Sequence, residues 1–528
     1  MSSNSFNTIM TTRPNRNRFN LSHDLKLSFN MGTLVPTAAI DVIPGDVFNI
    51  SVENMLRFAP LVAPVMHDIE IKTFWFFVPN RLVWPEWEDF ITGTDTDLVK
   101  PYVLNQSGLM SNGCIADYMG VPPDIPQTME IDAMPFAGYA LIYDEWFRDQ
   151  NLIDEVFVPL VEGNNTSNYA TFVAGAPVKR AWKHDYFTSA LPFAQKGDAV
   201  TLPLVDTGEV LVERNSTLAA WTVWDASAGI GVGGPEDIGI DPSSTALQAT
   251  GGASNVGLDP NGTLSVDINA SAVTINALRE AFRMQEFLEL DAVGGSRYTE
   301  TIYAHFGVRT QDHRQQRPEL IGAFSGKMVI SEVLQTAAAS GTGVSGEGDS
   351  SPLGTMGGHG ISVNGGRNLN YRATEHGWII GLINVCPRAS YQQGLPRKFS
   401  RLTREDYFWP KLANIGEQTI LNQEIYTNAA DPDGTFGYIP RYSEYRYESN
   451  RVSGDMRAEL SHWHLGRIFD SEPALNPDFI NQDPSARIFA VQYEGGGESE
   501  YAGAQIYGHI FNNISCSRLI PKYGRPML

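Results

Sequence analysis

The chain has 528 residues, of which 38 are basic and 60 acidic, and its formal net charge is −22 at neutral pH. A protein that coats nucleic acid by charge alone is basic, so this balance excludes such a protein and requires any nucleic-acid contact to be local or shared with a basic partner. Hydrophobic residues make up 42% of the chain and aromatic residues 11%, which together with 49 Gly and 31 Pro indicates a globular protein rich in strands and turns.

The N-terminal segment, residues 1–23, is polar and contains no acidic residue. Its basic side chains are Arg13, Arg16 and Arg18. A segment of this kind is either a frayed terminus or a basic arm that contacts phosphate or a neighbouring subunit. Two short strands are predicted next, within residues 24–53.

The clearest strand runs from His67 to Val78. Its first half alternates between polar and apolar side chains, whereas both faces are apolar from Phe74 onwards, and Pro79 ends the strand. The pattern predicts the central strand of a large β-sandwich. We expect the second apolar face to be covered by loops or by a neighbouring subunit.

Helices and further strands follow, separated by two low-complexity stretches. Residues 136–150 and 275–291 have helical periodicity, and in the first of these Asp144 and Arg148 fall on a polar side. Residues 205–274 are rich in small and polar residues and predict a long surface insertion, and 335–366 is a Gly/Ser-rich loop. The late strands are predicted at residues 374–387, 487–493 and 509–518.

Several motifs that suggest chemistry lack the context that the chemistry needs. Gly341–Gly346 matches the spacing of a nucleotide-binding loop but follows no strand, so a flexible loop is the simpler interpretation. Asp431–Gly434 begins like a calcium loop but places its glycine too early, which favours a turn. His462 and His464 lack a third metal ligand in register. No catalytic residue, metal ligand or cofactor is therefore predicted. The three cysteines, Cys114, Cys386 and Cys516, are too scattered for a disulfide framework.

Two groups of basic residues stand out in this acidic chain. One contains Arg388, Arg397, Lys398, Arg401 and Arg404, with aromatic residues interleaved, and the C-terminal group contains Arg518, Lys522 and Arg525. Guanidinium groups beside aromatic rings are typical of single-strand binding, and ion pairing within or between subunits is the alternative. We predict nucleic-acid contacts at Arg13, Arg16, Arg18, Arg397, Lys398, Arg401, Arg404, Lys522 and Arg525.

Long segments of the chain resemble the major capsid protein of the small single-stranded-DNA bacteriophages, the Microviridae, and in particular the gokushovirus group. The resemblance rests on HDIEIKTFWFFVPNRLVWPEWEDFITG, ALIYDEWFRDQNL, HDYFTSALPFAQKG, LREAFRMQEFLELDAVGGSRYTETIYAHFGV, YQQGLPRKFSRLTREDYFWPKLANIGEQ and EYRYESNRVSG, in the order in which the family has them. It implies a mainly β fold, an eight-stranded antiparallel jelly-roll sandwich with long loop insertions containing short helices. On this basis residues 24–528 form one jelly-roll domain, preceded by the basic arm of residues 1–23.

The resemblance also implies a function and partners. The chain would be a structural protein, not an enzyme, that self-assembles into a T=1 icosahedral shell around a circular single-stranded DNA genome. The family adds a small basic internal DNA-binding protein, which answers the acidity of this chain, and a surface protrusion, assigned here to residues 205–274, that touches a host receptor. The expected location is the virion capsid, assembled in the host bacterial cytoplasm, with no membrane contact. The alternative is a carbohydrate-binding or carbohydrate-cleaving β-sandwich with tryptophan platforms.

Overall fold

The structure is a computed structural model of the full chain. It describes residues 16–105, 110–123, 125–196, 316–334, 356–366, 368–490 and 504–522, together with short strands and one helix between residues 213 and 294. The chain divides into two compact units, residues 1–194 with 295–528, and residues 195–294. The predicted insertion at 205–274 falls within the second unit.

The described elements are mainly strands, and every pairing between them is antiparallel. The strands are β1 (Asn17–Asn20), β2 (His23–Phe29), β3 (Val35–Val42), β4 (Val47–Phe58), β5 (Ile69–Pro79), β6 (Tyr102–Leu104), β7 (Glu130–Asp132), β8 (Glu213–Arg214), β9 (Val223–Asp225), β10 (Ile230–Val232), β11 (Ile238–Ile240), β12 (Leu247–Ala249), β13 (Val256–Leu258), β14 (Leu264–Ser265), β15 (Glu319–Lys327), β16 (Val329–Leu334), β17 (Met356–Gly365), β18 (Leu369–Arg372), β19 (Gly377–Pro387), β20 (Glu417–Leu421), β21 (Thr435–Pro440) and β22 (Ile506–Arg518). The helices are α1 (Asn80–Val83), α2 (Trp87–Thr92), α3 (Ile115–Met119), α4 (Met134–Trp146), α5 (Thr166–Ala174), α6 (Ile275–Gly294), α7 (Asn422–Ile425) and α8 (Pro477–Ile480).

Two sheets of the first unit enclose the main core. The larger sheet has seven strands, in the order β1-β22-β4-β17-β16 with β2 and β18 attached, and the smaller has four, in the order β15-β5-β19-β3. Alternate residues of each strand point to the same face, so one face of each sheet can be entirely apolar. Phe48 and Ile514 of the larger sheet pack in one cluster with Trp75 and Ile379 of the smaller. The prediction of a β-sandwich is therefore confirmed at the level of two packed antiparallel sheets.

Strand β5 lies in the middle of the smaller sheet, as its sequence pattern predicts. It pairs with β15 on one side and β19 on the other, and Trp75 and Phe77 face the core between the sheets. The opposite face of Phe74–Val78 packs against helix α4 of the same chain, in a second core with Phe136 and Tyr139. Helix α4 of the same chain therefore buries the second apolar face of β5.

Other sequence predictions have mixed outcomes. The predicted helices correspond to α4 and α6, and the strands at 374–387 and 509–518 correspond to β19 and β22. Three strands, rather than two, occupy the region from His23 to Phe58. The strand prediction at 487–493 is wrong at its start, because Ala486–Ile488 forms a 3-10 turn after the capping residue Ser485, and residues 491–493 lie outside the described part. None of the described helices is long and apolar enough to cross a membrane.

Candidate assembly and nucleic-acid surfaces

Residues 399–415, called the apolar segment below, cross the surface without regular secondary structure but in a defined conformation. Short 3-10 turns occur in and beside it at Arg397–Phe399, Arg404–Asp406 and Pro410–Leu412. The Asp406 carboxylate accepts the backbone N–H groups of Leu402 and Thr403 at 3.0 and 2.7 Å, which caps the middle turn. The segment is therefore held in place by its own hydrogen bonds.

The apolar segment exposes large hydrophobic side chains to solvent. Leu402 is 92% exposed and Phe399 is 64% exposed. The other exposed apolar residues of the segment are Tyr407, Phe408, Trp409 and Ile415. Single exposed hydrophobic residues are ordinary, but several in one short segment mark a contact surface for another macromolecule.

A second exposed apolar surface lies on the outer face of the larger sheet. Val363 of β17 is directly opposite Met55 of β4 in the ladder, and the two are 74% and 40% exposed. Val329 and Tyr507 occupy the next cross-strand row and are also exposed. Apolar residues on the solvent side of an antiparallel sheet break the usual alternation, so this face is a second candidate contact surface.

The predicted nucleic-acid residue Arg397 is engaged within the chain. Its Nη1 atom donates to Glu424 Oε1 at 3.1 Å and to the carbonyl oxygen of Thr419 at 2.6 Å. The Glu424 side chain is only 2% exposed and also accepts the Tyr186 hydroxyl at 2.9 Å. Burial raises the pKa of Glu424 above its usual value, against the opposing effects of the Leu421 N–H and of Arg397. The guanidinium therefore compensates a buried carboxylate.

The neighbouring cations are also engaged, in different ways. Lys398 Nζ lies 2.5 Å from Glu448 Oε1, and Arg401 Nη2 lies 3.3 Å from Glu444 Oε1. For Lys398 and Arg401 the structure therefore shows ion pairing within the chain, which the sequence analysis gave as the alternative to DNA contact. Arg388 likewise contacts acids within the chain, Asp68 at 3.2 Å and Glu70 at 3.4 Å.

Arg404 differs from these residues. Its guanidinium lies 5.1 Å from the ring centroid of Trp409, and the residue is exposed. In the described part of the chain it has no carboxylate partner. Of the predicted DNA-contact residues in this cluster, Arg404 is the one that no carboxylate of the described residues compensates.

We expect Arg397→Met to destabilise the fold by about 3 kcal/mol at neutral pH, because it leaves the buried Glu424 carboxylate without its cation. The folded-state pKa of Glu424 lies above its unfolded value, so this carboxyl costs stability as the pH rises from its unfolded pKa, about 4.3, through its folded one. Arg397 lowers that folded pKa, and its loss raises it further. The deficit of the variant should therefore grow with pH.

Chemical denaturation of the unassembled chain at pH 5 and pH 8 measures this effect. Lys398→Met is the matched control, because its partner Glu448 is exposed, and it should leave the midpoint almost unchanged at both values. A deficit of the same size at pH 5 and pH 8 would show that Arg397 acts through packing and not through the charge of Glu424.

The N-terminal and C-terminal basic groups come together in space. Strand β1 pairs with β22, and Arg18 Nη2 donates to Ser515 Oγ at 2.8 Å. Arg518 Nε lies 2.9 Å from Asp46 Oδ2, a carboxylate that is 1% exposed. Arg16 and Lys522 are exposed, whereas Arg13 and Arg525 lie outside the described residues. Residues 17–20 are therefore part of the larger sheet.

His464 and Asp431–Gly434 have structural roles. Both ring nitrogens of His464 are occupied, Nε2 by the Met456 carbonyl at 2.8 Å and Nδ1 by the Gly466 N–H at 2.9 Å. Asp431–Gly434 closes a turn through the Gly434 N–H at 3.1 Å. No group of three or more potential metal ligands occurs among the described residues. The glycine-rich Gly341–Gly346 lies outside them.

Trp84 and Trp87, which follow β5, pack against each other and against Phe90. Trp84 is fully buried, and its ring centroid lies 5.1 Å from that of Phe90 and 6.3 Å from that of Trp87. A platform needs an open ring face, which Trp84 lacks. The three cysteines are free and buried.

Comparison with known proteins agrees with the sequence resemblance. Three similar relatives are capsid proteins VP1: that of Bdellovibrio phage phiMH2K is 37% identical, with 92% of each chain covered, and that of Chlamydia phage 1 is 31% identical, with 99% of this chain and 98% of the relative covered. That of Spiroplasma virus 4 is 31% identical over 89% of this chain and 88% of the relative. The family described as "Capsid protein (F protein)" matches residues 7–528, and the chain therefore belongs to this phage capsid family.

Proposed function

We propose that this capsid protein assembles with copies of itself into a T=1 icosahedral shell that encloses a circular single-stranded DNA genome, built on a jelly-roll sandwich. The observation that carries the proposal is the apolar segment, where Leu402 and Phe399 are held outward on a defined backbone. A side chain exposed in this way is stabilised when a second subunit covers it. The exposed face of the larger sheet offers a second surface of the same kind.

The proposed partners follow from charge and position. The DNA genome lies against the inner surface, and a small basic protein supplies the positive charge that a chain of net charge −22 lacks. Residues 205–274 form a surface protrusion that touches a host receptor, in keeping with their place in a separate compact unit. The location is the virion, with assembly in the host cytoplasm.

A sugar-binding or sugar-cleaving β-sandwich is the other function considered. It needs open aromatic platforms and a pair of carboxylates placed for catalysis. Burial of Trp84 removes one candidate platform. The exposed Trp409 belongs to the apolar segment, which the capsid proposal uses as a subunit contact.

We expect the purified chain to form closed particles of uniform diameter as its concentration rises, because a shell buries the apolar segment of every subunit. Electron microscopy and analytical ultracentrifugation measure this directly. The free chain with an excess of a sugar panel is the control for the alternative function. A stable monomer under all salt and concentration conditions, with sugar binding, would overturn the capsid proposal.

A further inference from the structure

A cavity of about 270 Å³ lies beside the polar half of β5, apart from the apolar segment. Its lining includes Glu70, Lys72, Arg180, Lys183 and Arg388. The same strand face that packs under α4 at Phe74–Val78 thus becomes the wall of a cavity at its other end. Arg180 and Lys183 belong to a short basic run, Lys179–His184, on a segment distant in sequence from β5.

Positive charge in this cavity exceeds what its carboxylates compensate. Glu70 is ion-paired with both Lys72 and Arg388, each at 3.4 Å, and Lys183 and Arg180 lie within electrostatic range of the same carboxylate. The lining therefore contains four cations and three carboxylates, and Arg388 is also paired with Asp68 outside the lining. Within the described part of the chain neither Arg180 nor Lys183 forms an ion pair.

The two other carboxylates of the lining are occupied elsewhere. Asp185 accepts the Tyr391 hydroxyl at 2.8 Å and the backbone N–H groups of Phe187 and Thr188. Glu448 is ion-paired with Lys398, outside the lining. Neither forms an ion pair with Arg180 or Lys183 among the described residues, which leaves both cations available to an anion from outside the chain.

Arg180 is preorganised for such an anion. Its backbone is fixed on both sides, by the Gly32 carbonyl oxygen at 3.0 Å and the Gln482 N–H at 2.7 Å. Its guanidinium lies 5.3 Å from the ring centroid of Phe74 and donates one hydrogen bond, to Asn384 Oδ1 at 3.3 Å. A partly buried guanidinium without a counter-ion is unfavourable, and a bound phosphate removes that cost through charge-assisted hydrogen bonds.

An adjoining aromatic cavity indicates which phosphate-bearing ligand fits. This second cavity, of about 190 Å³, is walled by Tyr186, Phe187 and Tyr391, with the ion-paired Arg397 and Lys398 also in its lining. It shares Tyr447 and Glu448 with the cationic cavity. Together the two fall in the size range of small-ligand sites. A cationic site next to aromatic rings is the arrangement that binds single-stranded nucleic acid, with phosphate on the cations and a base against the rings.

We propose that Arg180 and Lys183 bind a backbone phosphate of single-stranded DNA, with the neighbouring base in the cavity walled by Tyr186, Phe187, Tyr391 and Tyr447. The proposal rests on the capsid function and assigns the phosphate contact to Arg180 and Lys183, because the charges of Arg397 and Arg401 are used within the chain.

Binding of a fluorescent oligothymidylate to the purified unassembled chain tests the proposal. Lys183→Gln should weaken binding about 5- to 10-fold at low salt, and the slope of log affinity against log salt should fall by about 0.7, the value for one lost contact to a single strand. Arg180→Gln should do the same if it folds, and inorganic phosphate should compete. Lys179→Gln is the matched control, because Lys179 is four residues away and ion-paired with Asp483 at 2.8 Å.

Unchanged affinity and slope for both Lys183→Gln and Arg180→Gln would overturn the proposal. Equal binding of polyglutamate, lost in the same variants, would also overturn it, since the site would then take an acidic peptide. Each variant is also scored for particle formation. Particles that form while the DNA result is negative leave the capsid function intact, and a wild-type chain that never assembles refutes that function separately.

Discussion

The double variant Phe399→Asp/Leu402→Asp should remain folded and fail to form particles. Both side chains are mainly exposed in the free chain, at 64% and 92%, so two carboxylates there cost little folding free energy. In a shell each of them would have to be buried without a partner. Burying an apolar side chain of this size stabilises a subunit contact by about 1.5–3 kcal/mol. An unpaired carboxylate buried at the same place destabilises the contact instead.

The expected loss is therefore at least 10- to 100-fold in the affinity of each contact that uses the segment. Sedimentation of the variant across a concentration series measures it, with circular dichroism to show that the fold is kept. Val99→Asp provides a control, because Val99 is 53% exposed but lies outside both apolar surfaces. Particles of normal size and yield from the double variant would show that the apolar segment is not a subunit contact.

Phe76→Ala should destabilise the free chain by about 3–5 kcal/mol, the range for truncating a fully buried aromatic residue. Phe76 is 0% exposed, and its side chain extends from β5 towards α4. Its ring centroid lies 5.5 Å from that of Trp146 and 5.8 Å from that of Phe147. The cavity left behind cannot be filled, because both elements are fixed by further contacts on either side.

Phe399→Ala is the matched partner experiment, since it removes the same side chain from an exposed site. It should change the denaturation midpoint of the free chain very little and weaken particle formation instead. Phe76→Ala should therefore lower the stability of the free chain, whereas Phe399→Ala should lower only the yield of particles. Similar stability losses in both would mean that Phe399 is covered within the free chain.

The alternation of β5 predicted the fold well because it is set by local geometry. A strand with Ile69 and Ile71 on one side and Glu70 and Lys72 on the other has only one way to face a core. The continuous apolar run of β19 is explained in the same way, by cover on both faces. Which element buries the second apolar face of β5 depends on tertiary contacts. The sequence alone could not distinguish α4 from a neighbouring subunit.

Asp144 shows the limit of helical periodicity. The pattern places it on the polar side of α4, yet it is only 5% exposed. Its carboxylate accepts the backbone N–H groups of Val156 and Phe157 at 2.9 and 2.6 Å and lies 3.4 Å from Arg148. A loop 12 residues further on supplies these partners, so no periodic pattern within the helix could reveal them.

The basic cluster was visible from composition, but its chemistry was not. The carboxylates that engage Arg397, Arg401 and Lys398 are 27, 43 and 50 residues distant in sequence, at Glu424, Glu444 and Glu448. Only folding brings them together. The cationic cavity was missed because its cations come from three segments, with Lys72 on β5, Arg180 and Lys183 in a short basic run, and Arg388 after β19.

The position of β22 in the larger sheet has a consequence for the order of synthesis. Strand β22 pairs with β1, β2 and β4, so Val47–Phe58 has its partner in a strand, Ile506–Arg518, that is synthesised much later. At about 5–20 residues per second, β4 waits roughly 20 to 90 s for its partner. A chain that stops before Ile506 lacks the strand that joins β1, β2 and β4, so the exposed apolar face of the larger sheet cannot form until β22 has been made.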